Sequence, residues 1–260
     1  MSTLLLLRHG EVPGISPPRF RGRTELELTE RGRAQAERTA ERVKAGWPQV
    51  AAIFCSPRHR TVATAETVGR RYGIAPRALP EFDDIDYGTW QGLSHDEAKQ
   101  QWPDEWSLWT AAPDCMTFPK GESLADLAAR VWRGLQKVTH AAPVPEGAIV
   151  VVAHDSTNRA LLMQILGMHL RFYRALAQDP CCLNVVDSPG PSAGALVERH
   201  RPPERTLTPN GRSYDPRSIT IARSDKSVGD GCPCDRNRCR SRRRPACPGW
   251  HSRPRREKGC

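Results

Sequence analysis

Basic and imidazole side chains come directly after three short apolar runs of this sequence. The residues of this kind that follow the runs are Arg8, His9, Arg58, His59, Arg60 and His154. A neutral imidazole can attack phosphorus and form a covalent intermediate, and the planar guanidinium of arginine binds phosphate oxygens in pairs without losing its proton. Because phosphoryl transfer depends mainly on positioning and charge neutralisation, these residue types favour a phosphate site. An acid is also needed to protonate the leaving alkoxide.

The apolar runs themselves, Leu4–Leu7, Ala51–Cys55 and Ile149–Ala153, predict buried strands. None of them alternates apolar and polar residues, a pattern typical of strands in a sheet that is covered on both faces. In open parallel sheets, ligand sites form beyond the carboxyl ends of the strands. We therefore expect the polar residues after the three runs to converge on one crevice.

Helical patterns lie between and after these strands. The predicted helices are Thr29–Ala45, Arg60–Tyr72, Ser94–Trp102, Ser123–His140 and Thr157–Leu166. Ser94 with Glu97 forms a capping-box pattern, and Gly73 and Gly167 follow two of the helices as expected of terminating glycines. Strands that alternate with helices predict an α/β fold, with a three-layer, doubly wound, mostly parallel sheet and helices on both faces.

From about residue 188 this pattern ends. Residues 188–260 are rich in proline, arginine and cysteine, so we predict a folded domain at 1–187 and a largely disordered extension at 188–260. Of the net charge of +10, residues 226–260 contribute +8, with 11 lysines and arginines against 3 acids. This tail suggests a function of another class, the non-specific binding of nucleic acid or another polyanion.

Composition and cysteine spacing argue against several classes of protein. No apolar run approaches the ~18 residues of a membrane helix, and Leu4–Leu7 is shorter than a signal-peptide core of about 7–15 residues. We therefore expect a cytoplasmic protein without membrane contact and with reduced thiols. The tail spacing C-x-C-x4-C-x7-C lacks the C-x2-C pairs of a zinc ribbon, so we expect no metal and no other cofactor.

The segment LLLLRHGE resembles the signature of the histidine phosphatase superfamily, in the branch that includes phosphoglycerate mutases and α-ribazole phosphatases. Six further segments are similar to that family in order and spacing: RGRTELELTERGRAQAE, CSPRHRTVATAE, FDDIDYGTWQG, FPKGESLADLAARV, VVAHDSTNRALLMQILG and QDPCCLNVVD. The resemblance extends over residues 3–187.

The resemblance implies a role for each matching residue. His9 is then the nucleophile that becomes phosphorylated, and Arg8 and Arg60 bind the phosphoryl oxygens. His154 is the second histidine of the phosphate pocket, and within SPRHR the match selects Arg60 over Arg58.

The resemblance places the proton donor in the segment FDDIDYG. The family usually has a glutamate four residues before the glycine of this loop, which is Gly88 here, so the position falls on Asp84. Aspartate is one methylene shorter than glutamate, which changes its reach. Asp83 and Glu81 are close enough to be alternatives, because a donor must lie within hydrogen-bonding distance of the leaving oxygen.

A second departure from the family follows His154, where many relatives have glycine and this chain has Asp155. Its carboxylate would either repel a phosphorylated substrate or raise the pKa of His154 and keep that ring protonated. Arg21, in the loop RFRGR, is a further candidate for substrate binding.

The family resemblance implies metal-independent hydrolysis of a phosphomonoester through a phosphohistidine, with a small phosphorylated metabolite as substrate. The alternative is a phosphoglycerate-type mutase, which uses the same groups but retains the intermediate phosphoester. We prefer the phosphatase, by analogy, because the core is short and the segment after the first motif resembles mutases less well. A catalytically silent relative is disfavoured because all four residues of the phosphate pocket are present.

Overall fold

The structure, a computed structural model of the chain, describes residues 3–15, 17–140, 147–187, 196–200 and 219–222, the last two ranges as backbone alone. The chain divides into a unit of residues 1–224 and a unit of residues 225–260, and every described residue lies in the first. Apart from residues 196–200 and 219–222, the extension at 188–260 that was predicted to be largely disordered lies outside the described residues, and so does the basic tail with its predicted polyanion binding.

The described strands form one seven-stranded sheet. They are β1 (Thr3–Arg8), β2 (Val50–Cys55), β3 (Arg77–Ala78), β4 (Ala148–Ala153), β5 (Leu183–Asp187), β6 (Leu196–His200) and β7 (Ile219–Ala222). Their spatial order is β3-β2-β4-β1-β5-β6-β7. β4 lies between β2 and β1 and pairs in parallel with both, so the carboxyl ends of these three strands meet at one edge.

The predicted α/β fold is confirmed, and the sheet is mixed. The β3-β2-β4-β1 part is parallel, whereas β5, β6 and β7 extend it in antiparallel pairings. Two of these antiparallel strands lie beyond the predicted domain end at residue 187. Their sequences, LVERH and ITIA, are too short for an apolar period to identify them as strands.

Six α-helices lie among the described residues. They are α1 (Glu30–Gly46), α2 (His59–Arg70), α3 (His95–Gln101), α4 (Pro103–Ala111), α5 (Leu124–His140) and α6 (Asp155–Leu166). Ser94 and Glu97 form the predicted capping box of α3, and Gly167 ends α6 in the left-handed conformation. None of the helices in the described ranges has the length and apolarity needed to cross a membrane.

An apolar core lies on each face of the sheet, because successive strand residues point to opposite faces. Leu5 and Leu7 of β1 belong to the core that includes residues of α1 and α2. Leu4 and Leu6 belong to the core that includes residues of α5 and α6. The helices on both faces therefore explain why the strands are continuous apolar runs.

Hydrogen bonds from helix side chains fix the chain just after β1. Gly10 N donates to Thr64 Oγ1 of α2 at 3.1 Å. Glu11 N donates to Gln35 Oε1 of α1 at 2.9 Å. The segment that follows His9 is therefore held by two helices rather than left as a free loop.

Helix α1 begins in direct contact with the same segment. Thr29, the N-cap residue, accepts a hydrogen bond from Gly32 N at 2.9 Å, and its own N–H donates to the carbonyl of Glu11 at 3.0 Å. A Cβ atom built on Gly32 would lie 2.1 Å from that carbonyl oxygen. The lack of a side chain at Gly32 is what allows α1 to approach the chain next to His9.

We expect Gly32→Ala to lower the free energy of unfolding by about 1–3 kcal/mol, because the added methyl group forces the helix and the Glu11 segment apart. Gly46→Ala, at the other end of α1, is the matched control, since no atom lies within 4 Å of its added Cβ. Urea denaturation measures both. Equal stability of the two variants would contradict the close approach described for Gly32.

Candidate active site

His9 lies where β1 ends and is 2% exposed. Its backbone N–H donates to Ala153 O of β4 at 3.0 Å, and its carbonyl accepts from Cys181 N at 3.1 Å. The ring Nδ1 lies 2.7 Å from the carbonyl oxygen of Gly10. Because a carbonyl can only accept, Nδ1 carries the proton and Nε2 keeps its lone pair. The ring therefore holds an unprotonated, nucleophilic nitrogen.

The guanidinium of Arg8, also buried, is held through one of its edges. Its Nη1 donates to the backbone carbonyl of Gln178. The Gln178 side chain exchanges two hydrogen bonds with Asn184, at 2.9 and 3.0 Å. Arg8 Nε is buried and has no hydrogen-bond partner in the described part of the chain. Because a buried donor without a partner costs free energy, this atom favours the binding of an anion.

His154, at the end of β4, faces His9. Their ring centroids lie 5.3 Å apart, and His154 is 0% exposed. Arg60 Nε lies 3.3 Å from His154 Nδ1, and since a guanidinium can only donate, Nδ1 accepts. The ring proton is then on Nε2, which donates to Ser56 Oγ at 2.8 Å. Ser56, directly after β2, thus fixes the ring orientation.

Arg60, in the first turn of α2, is 0% exposed. It donates to the carbonyls of Gly22 at 2.6 Å and Thr24 at 2.7 Å. It also forms an ion pair with Asp84, with 3.1 Å between Nη2 and Oδ2. The structure therefore brings the predicted Arg60 into contact with both His154 and the predicted acid.

Asp84 lies between these groups, in the loop after β3. Its Oδ2 is 3.6 Å from His154 Nδ1. Its Oδ1 accepts hydrogen bonds from Ile85 N at 2.9 Å and from the Ser156 hydroxyl. The carboxyl group is therefore oriented through both oxygens.

The two alternative acids have other partners. Asp83 is bound by the guanidinium of Arg58, with contacts of 2.7–3.1 Å. Glu81 forms an ion pair with Lys137 of α5, and this contact lowers the pKa of Glu81. Arg58 is thus a partner of Asp83 and not a solvated charge, and Asp84 is the acid that directly contacts both Arg60 and His154.

Burial and positive charge lower the pKa of both histidines well below the usual 6.5. Burial is the largest cause for His9, followed by the charges of Arg60, His154 and Arg8. Burial is also the largest cause for His154, followed by Arg60 and Arg8. Both rings are therefore neutral at neutral pH, the form in which His9 can act as a nucleophile.

Burial and the charges of the arginines lower the pKa of His154, so the net shift is opposite to the rise that the carboxylate of Asp155 alone would produce. Asp155 instead pairs with Arg159 one turn later on α6, with 2.7 Å between Oδ1 and Nε. The positive charge of Arg159 balances the carboxylate of Asp155. Asp155 therefore repels a phosphorylated substrate less than an unpaired carboxylate would.

Arg21 is partly buried, in the loop before α1. Its Nη1 donates to the carbonyl of Gly14 at 2.7 Å. Burial and then the charge of Arg8 lower the pKa of Arg21, and Asp84 and Tyr87 raise it. The predicted substrate-binding arginine is therefore close to the phosphate pocket, together with Tyr87, which sequence reasoning did not identify.

Arg130 of α5 anchors the loop that carries the acid. It donates to the carbonyls of Glu81 at 2.9 Å, Asp83 at 3.0 Å and Asp84 at 3.2 Å. It also forms an ion pair with Glu122 at 2.8 Å. Sequence reasoning missed this residue because its contacts are with backbone atoms about 50 residues earlier, and no sequence motif marks such contacts.

Within the described ranges, no group of three or more histidine, cysteine, aspartate and glutamate side chains is arranged to hold a metal ion. The structure brings Arg8, His9, Arg60 and His154, which follow the predicted strands, into one pocket, and Asp84 lies beside them. His59 lies outside it, exposed and paired with Glu27 at 3.1 Å.

The chain is similar in sequence and fold to known proteins. A sequence profile described as the histidine phosphatase superfamily (branch 1) matches residues 4–196. The chain is 28% identical over 186 residues to phosphoserine phosphatase 1 of Hydrogenobacter thermophilus, a match that covers 72% of this chain and 86% of that protein. It is 32% identical over 172 residues to a 2,3-bisphosphoglycerate-dependent phosphoglycerate mutase of Mesorhizobium japonicum, with coverage of 64% and 82%. The solved structure of Bacillus stearothermophilus YhfR superposes with a TM-score of 0.68 and 26% identity, over 73% of this chain and 93% of that chain.

We expect the free energy of unfolding to fall as pH drops below about 6.5. The unfolded chain then takes up protons at His9 and His154, whereas the folded chain, in which both pKa values are lowered, does not. Each histidine contributes at most about 1.4 kcal/mol per pH unit. Urea denaturation between pH 7.5 and 5.5 measures this slope.

Variants at the two buried histidines test the origin of this slope. His9→Gln and His154→Gln should each flatten it, and His59→Gln, at an exposed histidine, is the matched control. A slope that is identical in all three variants would refute the assignment to the buried pair.

Proposed function

The chain belongs to the histidine phosphatase superfamily, and on that premise we propose that this phosphatase hydrolyses a small phosphomonoester through a phosphohistidine on His9. The observation that carries the proposal is the unprotonated Nε2 of a buried His9, in a pocket that holds Arg8 and Arg60. Two arginines and a second imidazole supply the charge neutralisation that a phosphoryl group needs, so the proposed reaction uses no metal.

In the first step, Nε2 of His9 attacks phosphorus and the bond from phosphorus to the ester oxygen breaks. Arg8 and Arg60 bind the equatorial oxygens, and Arg8 Nε provides a donor that has no other described partner. The oxygens of the phosphoryl group compete with Asp84 for Arg60, and their negative charge favours protonation of the Asp84 carboxyl. Asp84 then donates its proton to the departing alkoxide.

In the second step, water attacks the phosphohistidine and inorganic phosphate leaves. Asp84, now a carboxylate, accepts the proton of the attacking water. The bond from His9 Nε2 to phosphorus breaks, and the ring returns to its neutral form with the proton still on Nδ1, where the carbonyl of Gly10 accepts it. After each cycle, His9 and Asp84 have therefore returned to the protonation states in which they began the reaction.

His154 supports both steps through charge. A bound phosphoryl dianion raises the pKa of a neighbouring histidine, since an opposite charge stabilises the protonated form. His154 is neutral in the empty pocket and is expected to take up a proton as substrate binds. Its orientation by Ser56, at 2.8 Å, prepares it for this role.

A phosphoglycerate-type mutase is the second candidate. It is favoured by one observation, the 32% identity to the Mesorhizobium japonicum mutase, which exceeds the 28% identity to phosphoserine phosphatase 1. Incubation with 3-phosphoglycerate and 2,3-bisphosphoglycerate separates the two activities. Isomerisation that is faster than phosphate release would establish the mutase in place of the phosphatase.

We expect Asp84→Asn to slow hydrolysis of an alkyl phosphate by about 10²–10⁴-fold, because the leaving alkoxide needs a proton. In the first turnover, the release of p-nitrophenolate should slow less than about 10-fold in the same variant, because this phenolate leaves without a proton. Rapid-quench measurement of alcohol release in a single turnover, with both substrates, separates this step from the later attack of water, which needs Asp84 in either case. Asp83→Asn is the comparison variant, because Asp83 is the neighbouring acid. If the rate of Asp83→Asn depended on the leaving group more strongly than the rate of Asp84→Asn, Asp83 and not Asp84 would be the proton donor.

His9→Ala is the control for the covalent step. The unmutated chain, quenched during turnover, should carry an acid-labile phosphoryl group, and His9→Ala should carry none. Full activity of His9→Ala would overturn the phosphohistidine mechanism.

We expect Arg130→Met to lower kcat for an alkyl phosphate by about 10–100-fold, because a small displacement of the acid disrupts proton transfer. The Kd of inorganic phosphate should change less than about 3-fold, since Arg130 hydrogen-bonds to the acid loop and to Glu122. Arg133→Met, at an exposed arginine of the same helix, is the matched control. A parallel loss of phosphate binding would indicate general damage to the pocket and refute a specific effect on the acid.

A further inference from the structure

Two buried amide side chains, those of Gln178 and Asn184, belong to the segment whose backbone holds Arg8. Gln178, in the loop before β5, is 5% exposed, and Asn184 of β5 is 1% exposed. Gln178 Nε2 donates to Asn184 Oδ1 at 3.0 Å, and Asn184 Nδ2 donates to Gln178 Oε1 at 2.9 Å. Asn184 Nδ2 also donates to the backbone carbonyl of Leu6 at 3.1 Å. The amide pair therefore connects the loop before β5 to both β5 and β1.

Asn184 occupies a strand position at which an apolar side chain would pack. The residues on either side of it are buried and apolar. Val186, two residues later and therefore on the same face of the strand, belongs with Leu6 to the core that includes residues of α5 and α6. A buried amide is costly unless it is hydrogen-bonded, and Asn184 uses its amide to hold the side chain of Gln178. The presence of asparagine here favours a role beyond core packing.

The backbone of Gln178 holds the guanidinium of Arg8. Arg8 Nη1 donates to the carbonyl of Gln178. A contact at Nη1 leaves open the edge of the planar fork that contains Nε, and Nε is buried without a hydrogen-bond partner among the described residues. Phosphate oxygens bind such an edge through two parallel hydrogen bonds. The position of the Gln178 carbonyl therefore determines where the open edge of Arg8 points.

The turn that follows in the chain contacts the end of β1 through backbone atoms. Cys182 N donates to the carbonyl of Asp179 at 3.0 Å and closes the turn. Cys181 N donates to the carbonyl of His9 at 3.1 Å, and the carbonyl of Cys182 accepts from Arg8 N at 3.1 Å. Because these contacts join backbone atoms, they fix the chain and not the direction of the Arg8 side chain. The direction of that side chain depends on its contact with Gln178.

We propose that Gln178 and Asn184 are positioning residues, which hold the Arg8 guanidinium in the orientation that binds the phosphoryl group. The inference rests on the proposed function, in which Arg8 binds the equatorial oxygens. Asn184 fixes the side chain of Gln178, and the backbone carbonyl of Gln178 fixes Arg8. Without the amide pair, Arg8 keeps its charge but loses the geometry for paired hydrogen bonds.

The test is the Kd of inorganic phosphate for the full-length chain, measured by calorimetric titration. We expect Asn184→Leu to raise this Kd about 10-fold, which corresponds to the loss of one charge-assisted hydrogen bond. Arg8→Lys should itself weaken phosphate binding, because lysine has no planar fork. In the Arg8→Lys background, Asn184→Leu should raise the Kd less than about 2-fold, since no fork remains to be oriented. A merely structural role predicts the same rise in both backgrounds.

The double variant Gln178→Met/Asn184→Leu separates orientation from stability. Asn184→Leu leaves the buried amide of Gln178 without its partner and should lower the midpoint of urea denaturation. Replacement of both amides by apolar groups of similar shape should recover much of that loss. The Kd of phosphate should stay about 10-fold raised in the double variant, because the loop is no longer tied to β5.

Gln164→Met is the matched control. Gln164 of α6 also has a partly buried amide, which donates to the carbonyls of Ala128 and Ala160 at 2.9 and 3.3 Å. This variant should lower stability and leave the Kd of phosphate unchanged.

Three results would overturn the inference: an unchanged Kd in Asn184→Leu, an equal rise in both backgrounds, or a Kd that recovers together with stability in the double variant. Arg8→Lys alone tests the proposed function, because an unchanged Kd in that variant would remove Arg8 from the phosphate site. A rise in Arg8→Lys without one in Asn184→Leu would refute the positioning role alone, so the two failures are distinguishable.

Discussion

A fully buried arginine, Arg60, is the constraint on which the arrangement of the site depends. A charge removed from water costs several kcal/mol unless its donors are satisfied, and here two carbonyls, Asp84 and His154 accept them. These acceptors belong to the loop before α1, the loop after β3 and the end of β4. Burial of one guanidinium therefore determines how three segments that are distant in sequence lie relative to one another.

The same positive charge sets the protonation of the neighbouring groups. Arg60 and Arg8 add to burial in lowering the pKa of His9, which keeps the ring neutral and nucleophilic. Two further arginines stabilise the acid loop from behind, Arg58 through Asp83 and Arg130 through three backbone carbonyls. The side chains of the pocket are thus oriented before a ligand enters. A phosphoryl group would replace the contact between Asp84 and Arg60, and the other side chains would not need to rearrange.

Sequence reasoning located the elements with strong apolar patterns. The predicted Leu4–Leu7 lies within the observed Thr3–Arg8. Arg8, His9 and His154 could be identified because each directly follows an apolar run, whereas only the family resemblance selected Arg60 over Arg58. Ser56, Ser156 and Arg130 could not be identified, because their roles arise from contacts with residues 46–98 positions away. The pairing of Asp155 with Arg159 was readable in principle, since opposite charges four residues apart meet on a helix. Strands β6 and β7 are too short to show an apolar period, and only the pairing of β6 with β5 and of β7 with β6 reveals them.

Glu11 and Thr29 join the two ends of the loop that follows His9. The backbone hydrogen bond of 3.0 Å between them, with a side-chain contact of 3.1 Å, closes the segment between them at its base. Because the cost of closing a loop grows only slowly with its length, insertions between these anchors that leave the carbonyls of Gly22 and Thr24 bound to Arg60 do not need to move the nucleophile. This part of the fold can therefore diversify in evolution while the reaction centre stays unchanged, so that new specificities can arise on an unaltered chemistry.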